Sequence, residues 1–237
     1  MESKMIIEAT AERSIPMKLT EAAKNKKRGV THKLSSYFAE YDFNFREYRD
    51  KPINLLEIGV QKGGSLYMWR EYLPKAKIIG ADVDEKCKQF EGDGIKIYIG
   101  DQEDVDFLLD LEHKEGPFDI IIDDGGHTMG QQITTFKTLF PLLAEGGMYV
   151  IEDLHTSYWP AFGGGFTAIS FLKSMIDEIH FWAKESPRAG LIKKLRSRIF
   201  PPKSMNMFQK TIRSIYIADS ICFIKKETVE KNKVISF

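Results

Sequence analysis

The sequence predicts an α/β fold: a seven-stranded, mostly parallel sheet with helices on both faces and an antiparallel last strand. Three observations carry this. Short aliphatic runs alternate with helical patterns from residue 53 to residue 153, and such alternation demands parallel strands joined by crossover helices. Several of these runs are apolar throughout, as strands covered on both faces are. The chain then closes on IRSIYIADSICFIKK (212–226), read as two strands joined by Ala218-Asp219-Ser220, a hairpin that makes the sheet mixed at its far edge.

Residues 1–50 read as an N-terminal helical or lid segment and 51–237 as the main domain. The first segment is polar up to the basic cluster Lys24, Lys26, Lys27 and Arg28. From Leu34 to Tyr48 the aromatics Tyr37, Phe38, Tyr41, Phe45 and Tyr48 recur at helical spacing. Such a stripe packs a helix on the sheet; the alternative is that this helix and His32 cover an active site.

The first strand, Ile53–Val60, runs into a glycine turn through Gly59, Gly63, Gly64 and Ser65, and then into the helix LYMWREYL. Strand, glycine turn and helix is the layout of a nucleotide-binding unit, in which the backbone approaches the ligand and the helix start offers free N–H groups. The spacing is E-x-G-x-x-x-G-G rather than G-x-G-x-x-G. Glu57 in the strand end would repel a phosphate and suits a ligand with a cationic end. A second strand, Lys77–Val83, brings Asp82 to its end, placed to bind ribose hydroxyls. A third, Ile95–Ile99, ends in Gly100-Asp101-Gln102, and a helix follows from Val105 to Leu111.

The central stretch is FDIIIDDGGH (118–127). Its strand, Asp119–Ile122, discharges Asp123, Asp124 and His127. After a helix at 132–143 the pattern recurs in GGMYVIEDLH, whose strand ends in Glu152, Asp153 and His155. Ligands of open α/β sheets bind outside the carboxyl ends of strands. Three or four carboxyl groups gathered there repel one another unless something positive joins them, and a divalent cation with oxygen ligands is the natural candidate. The competing reading has Asp124 and Asp153 capping the helices that follow. Beyond them HTSYWPAFGGG reads as a functional loop, and residues 166–182 as a helix.

The chain has 237 residues and 34 basic against 34 acidic side chains, which argues against a general nucleic-acid binder. Cys87 and Cys222 show no metal-type spacing and point to a reducing, cytoplasmic setting. No apolar run approaches the roughly 18 residues of a membrane span, and the acidic N-terminus is no signal peptide. The basic amphipathic run 187–202 is compatible with a peripheral membrane contact, a lid or an interface, and a homo-oligomer is compatible with the composition.

LLEIGVQKGGSLYMW, IGDQED, PFDIIIDDGGH and GGMYVIEDLHTSYWP together resemble the class I S-adenosylmethionine-dependent methyltransferases, and among them the metal-dependent sugar O-methyltransferases of macrolide biosynthesis, the mycinamicin and macrocin type. The resemblance covers roughly residues 30–226 and implies a Rossmann-like sheet. It implies S-adenosylmethionine over the Gly59–Ser65 turn, with Glu57, Gly59, Gly63, Ser65, Asp82, Asp101, Gln102 and Asp123 as the cofactor set. It implies Asp124, Glu152 and Asp153 as Mg²⁺ ligands and His127 as general base. His155 is a candidate for a supporting or a substrate contact, and Tyr158 and Trp159 for stacking on a sugar face or for wedging the loop onto the core; the acceptor is a hydroxyl of a small molecule or a glycan. A catechol O-methyltransferase is the second enzymatic reading, since an ortho-diphenol presents a similar oxygen pair to a metal. A non-catalytic S-adenosylmethionine-binding protein is the third, and it would have no need of a base.

Overall fold

The computed structural model describes residues 17–180 and 206–230. The basic run 187–202 therefore lies outside the described residues. Seven strands form one sheet: β1 Asn54–Ile58, β2 Lys77–Asp82, β3 Ile95–Ile99, β4 Ile120–Asp123, β5 Met148–Ile151, β6 Ile212–Ala218 and β7 Ile221–Lys226. The order across the sheet is β3-β2-β1-β4-β5-β7-β6. The first five strands are mutually parallel, β7 runs antiparallel between β5 and β6, and β6 pairs antiparallel with β7. β1 and β4 are adjacent, with Leu55 opposite Ile120 and Ile58 opposite Asp123, so both deliver their last residues to one edge.

β4 and β5 are buried along their whole length, which is why their sequences carry no alternation. Leu55, Ile120, Ile122, Val150 and Phe223 face one core layer; Leu56, Ile121, Tyr149, Ile151 and Ile224 face the other. Among the described residues, helices α1 (Leu19–Asn25), α2 (Tyr37–Phe45) and α3 (Gly64–Tyr72) serve the first layer. Helices α4 (Val105–Glu115), α5 (Met129–Leu139), α6 (Ala168–Ile179) and α7 (Met207–Thr211) serve the second.

Two expected boundaries move. The helix expected at 132–143 starts earlier, at Met129, because Thr128 caps it by accepting from Gln131 N–H at 3.2 Å while Gln131 reaches back to Thr128 N–H at 3.1 Å. The helix expected from Leu34 to Tyr48 is shorter at both ends. The aromatic stripe packs as expected: Tyr41 meets Trp69, Phe45 and Phe223 edge-on with ring centroids 4.8, 5.0 and 5.3 Å apart. No described helix is long and apolar enough to cross a membrane.

Candidate active site

A cavity of about 540 Å³ opens at the carboxyl ends of β1, β2, β3 and β4, within the size range of small-ligand sites. Gly59, Ser65, Asp82, Asp101, Gln102, Asp124, His127 and Asp153 line it, and so does His32. Its floor is the turn after β1. Gly59 has φ +96°, and a Cβ there would fall 2.0 Å from the Asp124 carbonyl oxygen, so only glycine lets the β1 and β4 loops close on each other. Gly63, also left-handed, is not among the lining residues, and a Cβ there would fall 2.4 Å from the Phe90 ring.

Asp82 is a latch as well as a wall. Its Oδ2 accepts from Val60 and Gln61 N–H at 2.8 and 2.9 Å, and its Oδ1 accepts from Asp84 N–H at 2.9 Å. Burial alone would push the carboxyl's pKa up, but these three backbone donors hold it below the usual range. Gln102 is a strut. Its amide donates to Asp123 Oδ1 at 3.0 Å and to Thr135 Oγ1 at 3.2 Å, and its carbonyl accepts from Gly126 N–H at 2.8 Å. Asp123, expected among the cofactor contacts, stands behind the cavity wall with no exposed surface, where burial pushes its pKa up to about 6.

The helix-capping reading of the acids does not hold. Thr128 caps α5, and the 3-10 turn at Leu154–Tyr158 has no side-chain cap bond from Asp153. Asp124, His127 and Asp153 converge instead: His127 Nε2 lies 3.4 Å from Asp153 Oδ2 and 3.9 Å from Asp124 Oδ1. One ligand atom from each of the three falls within 4.8 Å of the other two. Both His127 and Asp153 take left-handed backbones, with φ +58° and +54°. Such conformations cost non-glycine residues on the order of 1–3 kcal/mol each and cluster at functional sites.

Glu152 points into a second group, with Glu57 and Asp124. At its centre sits a residue that the sequence reading missed. Lys33 Nζ donates to Glu152 at 2.5 Å, to Asp124 Oδ2 at 2.9 Å and to Glu57 at 3.4 Å, with its side chain 1% exposed. Tyr41, beneath the same cluster, donates its hydroxyl to Glu152. Burial alone would lower the ammonium's pKa; Asp124, Glu152 and Glu57 together hold it well above the usual lysine range. Burial, then Asp124, pushes the Glu152 pKa up, against the pull of Lys33. Burial also raises Glu57. The cation met by Glu57 in this structure is thus Lys33. Tyr37, buried beside the cluster, holds Asp153: its hydroxyl donates to Asp153 Oδ1 at 2.8 Å and receives the Asp153 N–H at 3.1 Å.

The expected acceptor residues lie outside this cavity. His155 Nδ1 is 2.5 Å from Ser220 Oγ, and its ring meets Trp159 edge-on at 4.6 Å. Tyr158 is 73% exposed, so it does not wedge the loop onto the core. Trp159 is half-exposed and packs on His155 and Phe162.

The chain is similar to proteins of known activity. A methyltransferase domain family matches residues 56–154. The 8-demethyl-8-(2-methoxy-alpha-L-rhamnosyl)-tetracenomycin-C 3'-O-methyltransferase of Streptomyces olivaceus is 42% identical over 165 residues, covering 63% of this chain and 42% of that protein. The mycinamicin VI 2''-O-methyltransferase of Micromonospora griseorubida is 36% identical over 207 residues, covering 81% of this chain and 48% of that one. A solved structure of the MycE methyltransferase of mycinamycin biosynthesis, in complex with Mg and SAH, superposes with a TM-score of 0.80 at 31% identity. It covers 94% of this chain and 57% of that one. The chain spans about half the length of the curated relatives it matches. It resembles the macrolide sugar O-methyltransferases, as its motifs indicate, and has their Rossmann-like fold.

Proposed function

We propose that the chain is an S-adenosylmethionine-dependent, Mg²⁺-dependent O-methyltransferase that methylates a hydroxyl of a sugar, carried on a glycosylated natural product or a glycan. The observation that supports it most is the convergence of Asp124, His127 and Asp153 on the wall of a cavity floored by the Gly59–Ser65 turn. The similar proteins of known activity act on sugar hydroxyls of tetracenomycin and mycinamicin compounds.

The residues suit both groups. Mg²⁺ takes oxygen ligands and is often held by one or two carboxylates, with water and substrate oxygens completing its shell. Asp124 and Asp153 offer two carboxylates on the cavity side, with Glu152 completing the acidic set behind them. The ends of β2 and β3 bring Asp82 and Asp101-Gln102 to the side of the cavity away from β5, where they would hold one end of the cofactor. When bound, S-adenosylmethionine supplies an electrophilic methyl group and Mg²⁺ a Lewis acid that makes a hydroxyl more acidic.

The chain's own residues supply orientation and proton transfer. Methyl transfer is an in-line displacement, so the acceptor oxygen must be held on the axis of the breaking bond. His127 Nε2 faces the two aspartates; with the ring proton on Nδ1 it is free to take the acceptor's proton. The imidazolium then formed is stabilised by carboxylates 3.4 and 3.9 Å away.

The test is transfer of a labelled methyl group to a panel of glycosides and catechols, in EDTA and after Mg²⁺ is restored. The expected result is methylation of a glycoside, lost in EDTA and recovered with Mg²⁺. Transfer indifferent to EDTA would remove the metal from the reaction, and transfer to catechols alone would reassign the acceptor.

A further inference from the structure

Among the described residues, two constellations of potential cation ligands adjoin and share one residue. Asp124, His127 and Asp153 face the cavity; Glu57, Asp124 and Glu152 lie inward of it. Two members of the inner group are walled in, Glu57 at 0% and Glu152 at 1% exposure, while Asp124 also reaches the cavity. The Lys33 ammonium stands among its three carboxylates. Tyr41 and Trp69 close the remaining sides, with ring centroids 5.9 and 5.8 Å from Nζ.

We infer that Lys33 is a positioning residue: a tethered cation that fills the inner of two adjoining cation positions, fixes Asp124 by its Oδ2, and leaves a single position for a divalent ion on the cavity side. This rests on the metal reading proposed above. The physical case is one of fit. An ammonium has three donors and no acceptor, and here three carboxylates receive it. A divalent ion entering the inner position would have to shed waters, which Mg²⁺ gives up reluctantly. A charge already tethered to the backbone pays no translational entropy to arrive. Asp124 is the hinge of the arrangement. One oxygen is taken by Lys33, so the other is aimed at His127 and the cavity. Without an inner cation, three buried carboxylates would be left without compensation, a costly state.

The substitution Lys33→Met keeps the length and removes the charge. The full chain is stripped with EDTA and titrated with Mn²⁺, and the free ion is read by electron paramagnetic resonance. Lys33→Met is expected to bind one more Mn²⁺ per chain than the wild type. Lys33→Arg, which keeps the charge, is expected to bind as many as the wild type. Lys33→Met with Glu57→Gln is expected to lose the extra ion. Equal stoichiometry in Lys33→Met and wild type overturns the inference. If Lys33→Met does not fold in chelator, refolding on Mn²⁺, followed by circular dichroism, reports the same occupancy; failure to refold in millimolar Mn²⁺ overturns it. A wild type that binds no Mn²⁺ at all would sink the catalytic metal, while the difference between variant and wild type would still decide the role of Lys33.

Discussion

His127 shows what the site asks of single residues. It holds a left-handed backbone, and its ring Nδ1 is buried without a partner. A required direction for Nε2, as proposed above, would account for both costs. The substitution His127→Asn tests this, because asparagine tolerates the left-handed region well. Stability by urea denaturation should stay within about 0.5 kcal/mol of wild type. Methyl transfer should fall on the order of 10²–10⁴-fold, as for a lost general base. A large stability loss with activity retained would make His127 a packing residue. The acids and the histidine were legible because both strand ends carry them at fixed offsets from an aliphatic run. Lys33 was not. Its three partners lie 24, 91 and 119 residues away, and nothing local distinguishes it from the chain's other lysines. The repulsion among the acids announced a cation; only the fold shows that one of the cations is a side chain. The aromatic stripe of α2 packs on the sheet, and two of its hydroxyls, those of Tyr37 and Tyr41, also reach the acids Asp153 and Glu152.

At the scale of elements, strands were more legible than helix ends. Apolar runs such as Ile120–Ile122 leave little alternative in a parallel sheet, whereas helix starts depend on capping chemistry of one or two residues, as Thr128 and Gln131 show. What the sequence could not show is how elements are latched. The place of Asp82 at the end of β2 predicts a ribose ligand; in the fold its carboxylate ties β2 to the turn after β1. Two consequences of Asp82→Ala follow and are separable. Affinity for S-adenosylhomocysteine, measured by calorimetry, should fall if the carboxylate meets the ribose. Stability should also fall by about 1–2 kcal/mol, because the Val60 N–H is buried and loses its acceptor, while water can replace the bonds to exposed Gln61 and Asp84. Unchanged stability would show that the turn holds its shape without the latch.

Over the whole molecule, the two edges of the sheet are opposite electrostatic designs. At the carboxyl edge, burial and mutual repulsion push Asp123, Glu152 and Glu57 upward, which is the cost of assembling a site. At the amino edge, Glu115 ends α4 and joins three groups on two strands: Lys77 at 2.6 Å, Lys96 at 3.0 Å and the Tyr98 hydroxyl. Burial would raise its pKa, but the hydrogen bonds from Lys77, Tyr98 and Lys96 win and bring it down to about 2. The linkage has a definite sign. A carboxyl depressed in the folded state contributes stability above its unfolded value, near 4.5, and loses it as pH falls toward 2. The full shift corresponds to about 3 kcal/mol at 1.36 kcal/mol per unit. The two lysines are 42% and 59% exposed, so solvent screening reduces this to about 1–2 kcal/mol. Glu115→Gln should therefore be less stable than wild type at pH 6, and the difference should shrink between pH 4.5 and 2. Urea denaturation across that range, in EDTA to keep the carboxyl edge free of metal, measures it. A difference that stays constant with pH would mean that Glu115 acts by packing alone, and that the amino edge is held by its apolar strands rather than by this charge network.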